Sequence, residues 1–325
     1  MSTRLSRRIG GGLLGGLTLV LAACGSTSGG ASATASPTPV APTHIVLATL
    51  PVADTATAVL ARNKGYFTAE GLDVELKIVD TGPATTAAIV SGAAQFSQSN
   101  YATLISARGH GIPVVFAAEA TRNAADFSTV VTLPDSAITS PGSLAGKRVA
   151  TSVIGGIGPV MISGDLKALG VDYKTINWVQ MPFGNMGAAL QQKQVDAAWV
   201  VEPFVSALKA ALNVKVVLDT NTGPAKGLPF AAWATTEQYA QQNPKVVAGF
   251  RRAIQKAAAD ATAKPADIRD IIPTYTAIKS NVAGKIALEQ YPTTTDAKEI
   301  EKIAKMMRDT GFLLTTVDVK KMVVL

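Results

Sequence analysis

Short apolar runs alternate along most of the chain with segments whose apolar residues recur at helical spacing. The runs are rich in Val, Ile, Leu and Ala, which is typical of buried parallel strands. Predicted strands cover 45–50, 74–79, 113–118, 148–151, 177–181, 197–201 and 214–218, and another short strand closes at Phe96. Because helices separate these strands, the pattern predicts an α/β fold with doubly wound, mostly parallel sheets.

The strand and helix pattern begins a second time after a β-branched run near residue 128. The apolar segment 228–235 is interpreted as the return of the chain, and a mainly helical region follows it. Two crossings between two lobes make a hinge. The predicted division is lobe 1 over 44–127 plus 233–325, lobe 2 over 128–232, and hinge crossings near 128–134 and 228–235.

The N-terminus has the features of an export signal. A cluster of arginines precedes the uncharged run 9–23, and small residues stand directly before Cys24, as in bacterial lipoprotein signals. The run is too short and too rich in glycine for a transmembrane anchor. The sequence predicts a signal peptide over 1–23, with the ordinary secretory route favoured over the twin-arginine route.

Cys24 is the only cysteine of the chain. After cleavage it is the predicted lipidation site, so a disulfide, a thiolate metal site and a cysteine nucleophile are excluded. Ser, Thr, Ala, Gly and Pro dominate the following residues, and 24–43 is predicted to be a flexible tether. We therefore expect a soluble body that is lipid-anchored to the outer face of the cytoplasmic membrane.

The charge and the histidines exclude several function classes. The formal net charge is +7, and the mature chain carries +4 because three arginines leave with the signal (7 minus 3). No long basic run accompanies this mild charge, which argues against a nucleic-acid partner. His44 and His110 lie too far apart in sequence to indicate a catalytic triad or a metal cluster. We expect a monomer without metal or cofactor, and not an enzyme.

The segment 194–204, with the sequence QVDAAWVVEPF, changes from an apolar strand to a helix start. Pro203 fits the first position of the helix, where a missing N–H costs nothing. Glu202 is thereby placed at the carboxyl end of a strand, the edge at which open α/β sheets bind ligands. Two interpretations stay open: Glu202 contacts a ligand, or it interacts with the dipole of the helix that it precedes.

Several segments together resemble a known family. They are GYFTAEGLDVEL, SLAGKRVATS, LKALGV, QVDAAWVVEPF and the helix start at Asn243 and Pro244. From His44 to the C-terminus the chain resembles the ABC-transporter solute-binding proteins for nitrate, sulfonates, taurine and thiamine pyrimidine precursors, which have the type II periplasmic-binding-protein fold. The resemblance implies a two-lobed clamp that captures a small molecule and delivers it to an ABC permease and its ATPase.

The resemblance also implies a ligand pocket, carried over by position to the turns after the predicted strands and to 199–202. The residues assigned to ligand binding are Asp54, Thr55, Thr81, Gly82, Gln98, Ser99, Asn100, Tyr101, Ser152, Gly155, Gly156, Phe183, Asn185, Trp199 and Glu202. Several of these turns open helices, whose N–H groups and nearby hydroxyls bind anionic groups. None of the turns contains a basic residue, and Arg122 is the nearest candidate.

The predicted ligand is a small organic molecule. A simple anion such as nitrate fits poorly beside an ionised Glu202, because like charges repel in a dry cleft. A sulfonate of the taurine type could place its ammonium on Glu202, and an aminopyrimidine could stack on Tyr101, Phe183 or Trp199. A ligand-sensing lipoprotein that signals to a membrane receptor is the alternative, and an enzyme of the same fold is disfavoured because the chain lacks that group's cysteine-rich motif.

Overall fold

The computed structural model describes residues 41–324 of the 325-residue chain. The predicted signal peptide, the predicted lipidation site Cys24 and nearly all of the predicted tether lie outside the described residues. The described body contains two five-stranded sheets. Among its helices, none combines the length and the apolar character that a membrane span requires.

The first sheet is formed by strands from both ends of the body. Its strands are β1 (Thr43–Thr49), β2 (Leu72–Ile78), β3 (Phe96–Asn100), β4 (Val114–Arg122) and β10 (Pro229–Thr236). They lie in the order β2-β1-β3-β10-β4. β1 pairs in parallel with β2 and β3, whereas β10 is antiparallel to both of its neighbours.

The second sheet is formed by the middle of the chain. Its strands are β5 (Ser128–Thr132), β6 (Arg148–Thr151), β7 (Asn177–Gln180), β8 (Ala197–Val201) and β9 (Lys215–Asp219). They lie in the order β7-β6-β8-β5-β9, and β5 is the antiparallel strand. The two sheets thus share one topology. In each sheet, the strand that follows a passage from the other sheet lies antiparallel between two neighbours, β10 in the first sheet and β5 in the second. The α/β architecture with mostly parallel sheets is confirmed.

The passages between the sheets lie at 123–127 and 220–228. The segments interpreted from the sequence as crossings are largely strands, since β5 belongs to the second sheet and β10 to the first. Both strands are buried, and an apolar run alone does not distinguish a buried strand from a crossing. Asn123 Nδ2 donates to Ala225 O over 3.0 Å, so the two passages contact each other. The lobe boundaries stay a prediction.

Helices connect the strands and cover the first sheet. They are α1 (Ala56–Asn63), α2 (Tyr66–Ala69), α3 (Gly82–Val90), α4 (Tyr101–Gly109), α5 (Ile157–Ala168), α6 (Phe183–Gln191), α7 (Phe204–Leu212), α8 (Glu237–Gln242), α9 (Pro244–Ala263), α10 (Pro265–Ile271), α11 (Ser280–Ala283) and α12 (Ala297–Asp309). The longest, α9, packs Phe250 against Phe96 of β3 with ring centroids 4.0 Å apart. α7 begins at Phe204, one residue later than predicted, because Pro203 is its N-cap.

Candidate functional site

The carboxyl ends of strands from both sheets meet at a small, partly open cavity, which we call the inner cavity. We call the first sheet with the segments packed on it the first half of the fold, and the second sheet with its helices the second half. The residues that line the cavity from the first half are Leu50, Val52, Asp54, Gly82, Gln98, Asn100 and Phe230. Those that line it from the second half are Ser152, Val153, Ile157, Phe183, Trp199 and Val201. The volume is about 20 Å³, room for a single water molecule. A larger ligand therefore requires the two halves to move apart.

A wider space, the outer groove, adjoins the inner cavity through the shared residues Leu50 and Phe183. Its volume is about 380 Å³, which lies in the usual range for small-molecule sites. Its remaining lining residues are Pro51, Asp80, Pro182, Gly184, Asn185, Phe204, Thr276, Ala277 and Ile278. The inner cavity and the outer groove together form a cleft between the ends of the two sheets.

The structure brings many of the predicted site residues together in this cleft. Asp54, Gly82, Gln98, Asn100, Ser152, Phe183 and Trp199 line the inner cavity, and Asn185 lines the outer groove. They converge because each lies within or shortly after a strand that pairs in parallel, and parallel strands place their carboxyl ends at one edge of a sheet. Their contact with a ligand stays a prediction.

Ser99 and Thr81 lie beside the inner cavity but do not line it. Successive side chains of a strand point to opposite faces, so Gln98 and Asn100 share the cavity face and Ser99 points away. Ser99 is buried, and its hydroxyl has no hydrogen-bond partner. Thr81 precedes α3 and makes no side-chain capping bond.

Thr55 and Tyr101 belong to the packed interior of the first half. The Thr55 hydroxyl donates to Leu50 O over 2.8 Å and so fixes the turn after β1. Tyr101 is fully buried, and its ring meets that of Phe116 edge to face with centroids 4.8 Å apart. The structure does not bring either side chain into the cleft.

The glycine loop before α5 packs against the first half of the fold and not around an empty space. A Cβ on Gly156 would lie 3.4 Å from Thr103 Oγ1, and one on Gly155 would lie 3.8 Å from Phe312. The loop therefore contacts α4 and the C-terminal region. Gly155 and Gly156, which were predicted to line the pocket, are absent from the lining of both cavities.

Gly158 determines how Trp199 sits in the cleft. A Cβ at Gly158 would overlap the indole ring, so only glycine allows the first turn of α5 to approach Trp199 this closely. The indole N–H donates to Thr220 Oγ1 over 3.2 Å. On its other side the ring contacts Phe183, with centroids 5.9 Å apart. Trp199 is therefore a fixed wall of the inner cavity.

Glu202 is buried but does not line the inner cavity or the outer groove. Its Oε2 accepts the backbone N–H of Ser206 over 3.1 Å, and its Oε1 accepts the Ser206 hydroxyl over 2.8 Å. The backbone N–H of Ala287 also donates to Oε1, over 3.2 Å. Burial raises the pKa of Glu202, and these hydrogen bonds oppose the shift. The geometry matches the second interpretation above, in which Glu202 interacts with the start of the following helix.

Asp54 is the carboxyl group of the inner cavity. It is 2 % exposed, and its Oδ1 accepts the hydroxyl of Thr121 over 3.0 Å. The carboxyl of Glu289, from the C-terminal region, is also buried and lies near Asp54. Burial raises the pKa of both groups, and the charge of Asp54 raises that of Glu289 further. Ionisation of both carboxyl groups at once is therefore disfavoured.

Two amides on β3 add polar groups beside Asp54. Gln98 is 2 % exposed, and its Oε1 has no hydrogen-bond partner among the described residues. Asn100 Oδ1 accepts the backbone N–H of Thr103 over 2.8 Å and caps α4, which leaves its NH₂ group as a donor toward the cavity. The inner cavity thus offers a carboxylate, a free carbonyl and an amide donor.

Sequence reasoning missed Asp80 and Glu289. Asp80 lies two residues after the end of β2, so its position near a strand end was a usable signal. Glu289 lies in an irregular segment, and its approach to Asp54 depends on tertiary packing that leaves no local pattern. Arg122, the basic candidate, pairs with Glu119 at the end of β4, with Nε and Oε1 2.6 Å apart.

Comparison with known proteins gives a family for most of the body. The model of the family described as NMT1/THI5 like matches residues 53–268. A protein of Brucella abortus (strain 2308), named "Putative binding protein BAB2_1146", is 25% identical over 258 residues, which cover 78% of this chain and 76% of that protein.

Solved structures of binding proteins have the same fold. The alkanesulfonate-binding protein SsuA from Xanthomonas axonopodis pv. citri, bound to MOPS, superposes with a TM-score of 0.74 at 15% identity and covers 88% of this chain and 99% of that chain. The periplasmic nitrate-binding protein NrtA from Synechocystis PCC 6803 gives a TM-score of 0.72 at 16% identity, with coverage of 87% and 86%.

Proposed function

Because the chain belongs to the NMT1/THI5-like family, we propose that it is an extracytoplasmic solute-binding protein of an ABC importer. It captures a small organic molecule between its two sheets and delivers the molecule to a permease and its ATPase. Cys24 carries the lipid that holds the protein on the outer face of the cytoplasmic membrane. The ligand belongs to the sulfonate and taurine type or to the thiamine-pyrimidine-precursor type.

One observation carries the proposal: a single cleft is lined by strand ends from both sheets, which are joined by only two passages in the described body. Such a body opens by rotation about the passages and closes when a ligand contacts both halves. The inner cavity, at about 20 Å³, is too small for an organic molecule, so binding requires the two sheets to separate there. The Asn123 to Ala225 hydrogen bond ties the two passages together.

The site supports binding better than catalysis. The inner cavity presents aromatic walls from Phe183, Trp199 and Phe230, together with a few polar groups. Such a lining is typical of small-molecule recognition sites. The named relatives are binding proteins, and the bound MOPS and the nitrate in their names mark small solutes as the ligand class of those proteins.

A thermal-shift screen of the purified mature protein tests the proposal. The panel contains alkanesulfonates, taurine, nitrate, aminopyrimidines, thiamine and aromatic carboxylates. A ligand at a hundred times its dissociation constant adds about 2.7 kcal/mol to the free energy of unfolding. At least one member of the panel is expected to raise the melting temperature, and the absence of any shift at millimolar concentration would contradict the proposed ligand classes. Uptake of that ligand by cells, lost when the chain is deleted, distinguishes an importer from a sensor.

A further inference from the structure

The charged groups of the cleft are all of one sign. Asp54 lines the inner cavity and Asp80 lines the outer groove. Among the described residues that line these two cavities, none is Lys, Arg or His. A ligand that carried only negative charge would meet like charges in a space with little water, and no basic side chain would compensate it.

Asp54 is held in place before any ligand arrives. Thr121 donates to its Oδ1, and the buried carboxyl of Glu289 lies nearby. Because two neighbouring buried carboxyl groups do not readily ionise together, the pair carries at most one negative charge. Replacing either carboxyl by an amide alters this charge or its orientation while keeping nearly the same volume.

Gln98 provides the second and independent observation. Its Oε1 is buried and unpartnered in the inner cavity, and an unpartnered buried carbonyl costs free energy comparable to a lost hydrogen bond. A donor from the ligand would remove that cost. An acidic side chain and an amide carbonyl thus line the same small cavity, and a donor from the ligand would satisfy both.

We propose that the ligand carries an amino group, protonated or attached to an aromatic ring, which donates to Asp54 and to Gln98 Oε1 of β3. This inference rests on the proposed function and specifies its ligand class. The remainder of the molecule occupies the space that opens toward the outer groove, between Phe183 and Leu50. An acidic group on the ligand is accepted only together with this amino group, for example in an aminosulfonate.

Matched probes that differ in the amino group test the inference. The pairs are taurine with ethanesulfonate, and 4-aminopyrimidine with 4-methylpyrimidine, measured by calorimetry and thermal shift on the purified mature protein. In at least one pair, the amino member is expected to bind at least about tenfold more tightly than its partner, the scale of one charged hydrogen bond. Equal or tighter binding of the members without an amino group overturns the inference and leaves the proposed function intact.

Variants locate the effect in the inner cavity. Asp54→Asn is expected to remove the preference for the amino probe, whereas Asp73→Asn, on the exposed edge strand β2, leaves it unchanged. If Asp54→Asn no longer unfolds cooperatively, Gln98→Met replaces it, and the same loss of preference is expected. An unchanged preference in a folded variant overturns the inference. If no probe binds and the wider panel also gives no shift, the proposed function fails and the inference fails with it.

Discussion

The backbone N–H of Ala287 donates to Oε1 of Glu202 over 3.2 Å. Ala287 lies in a C-terminal segment that is tied to β4 of the first sheet by hydrogen bonds between Arg122 and Gln290. Glu202 directly follows β8 of the second sheet, and its carbonyl accepts the N–H of Ala53 over 3.0 Å. Glu202 therefore joins the two halves of the fold on a surface distinct from the inner cavity.

Replacing Glu202 by Ala is expected to lower the free energy of unfolding by about 1.5 to 3 kcal/mol. The variant leaves the N–H groups of Ser206 and Ala287 without their charged acceptor, and hydrogen bonds to charged groups contribute on this scale. Urea unfolding at neutral pH measures the change. Glu75→Ala, on the exposed edge strand β2, is the control and should be nearly neutral. Equal stability of the two variants would contradict the role given to Glu202.

Gly158→Ala is expected to destabilise the protein by about 1 to 3 kcal/mol, because its new methyl group would overlap the Trp199 ring and force it to move. Since Trp199 lines the inner cavity, ligand affinity should fall as well. Gly184→Ala is the matched control, because a Cβ there meets no atom within 4 Å. Thermal unfolding and Trp fluorescence measure the effects. If Gly158→Ala changed neither the stability nor the ligand affinity, the Trp199 ring would be able to shift without cost, and the prediction would be contradicted.

Stability should depend on pH through Asp165 of α5. Burial, with a smaller contribution from the charge of Asp219, raises the pKa of Asp165 to about 7. The folded protein therefore binds this proton more tightly than the unfolded chain does. The contribution of protonated Asp165 to the free energy of unfolding is fully present below pH 3.8 and is lost as the pH rises through about 7.

Asp165→Asn removes this pH-dependent loss. Relative to the parent protein, the free energy of unfolding of the variant should rise by up to about 4 kcal/mol between pH 4 and pH 8, an order-of-magnitude figure from the pKa shift. Urea unfolding across that range measures the difference. Asp135→Asn is an exposed control and should follow the parent curve. Parallel curves for parent and Asp165→Asn would show that the pKa of Asp165 is not raised.

Cys24→Ser is expected to release the mature protein from membranes without a change in its melting temperature, because the substitution removes the predicted lipid attachment and alters none of the described residues 41–324. Fractionation of cells and an immunoblot measure the distribution. A variant that stays in the membrane fraction would contradict lipid attachment at Cys24.

Much of the fold could be predicted because strand signals are local. β6 and β8 match their predicted bounds, and the charged residues Asp196 and Glu202 flank the apolar run of β8. The segments predicted as crossings fall largely on β5 and β10, because these strands are as apolar as connecting segments that run through a core. No local pattern shows that an arriving strand inserts antiparallel between two others.

The site was only partly predictable. Asp54, Gln98 and Trp199 line the inner cavity because they lie within or shortly after strands that the sequence predicts. Glu202 directly follows a strand, but its side chain turns toward Ser206, and sequence alone does not separate a ligand contact from a helix-start contact. The partnership of Asp54 with Glu289 joins residues far apart in the chain and needed the tertiary structure.

The central claim is that a ligand enters between the two halves, and a cross-link across the cleft tests it most directly. A Cβ on Gly82 would lie 3.4 Å from Val153 Cγ2, so Gly82→Cys with Val153→Cys, in a Cys24→Ser background, places two thiols across the cleft in an otherwise cysteine-free mature chain. The measurement is the calorimetric affinity for the panel member that gives the largest thermal shift, with the pair oxidised and then reduced. We predict that oxidation abolishes binding and that reduction restores it, whereas full binding by the cross-linked protein would contradict the claim.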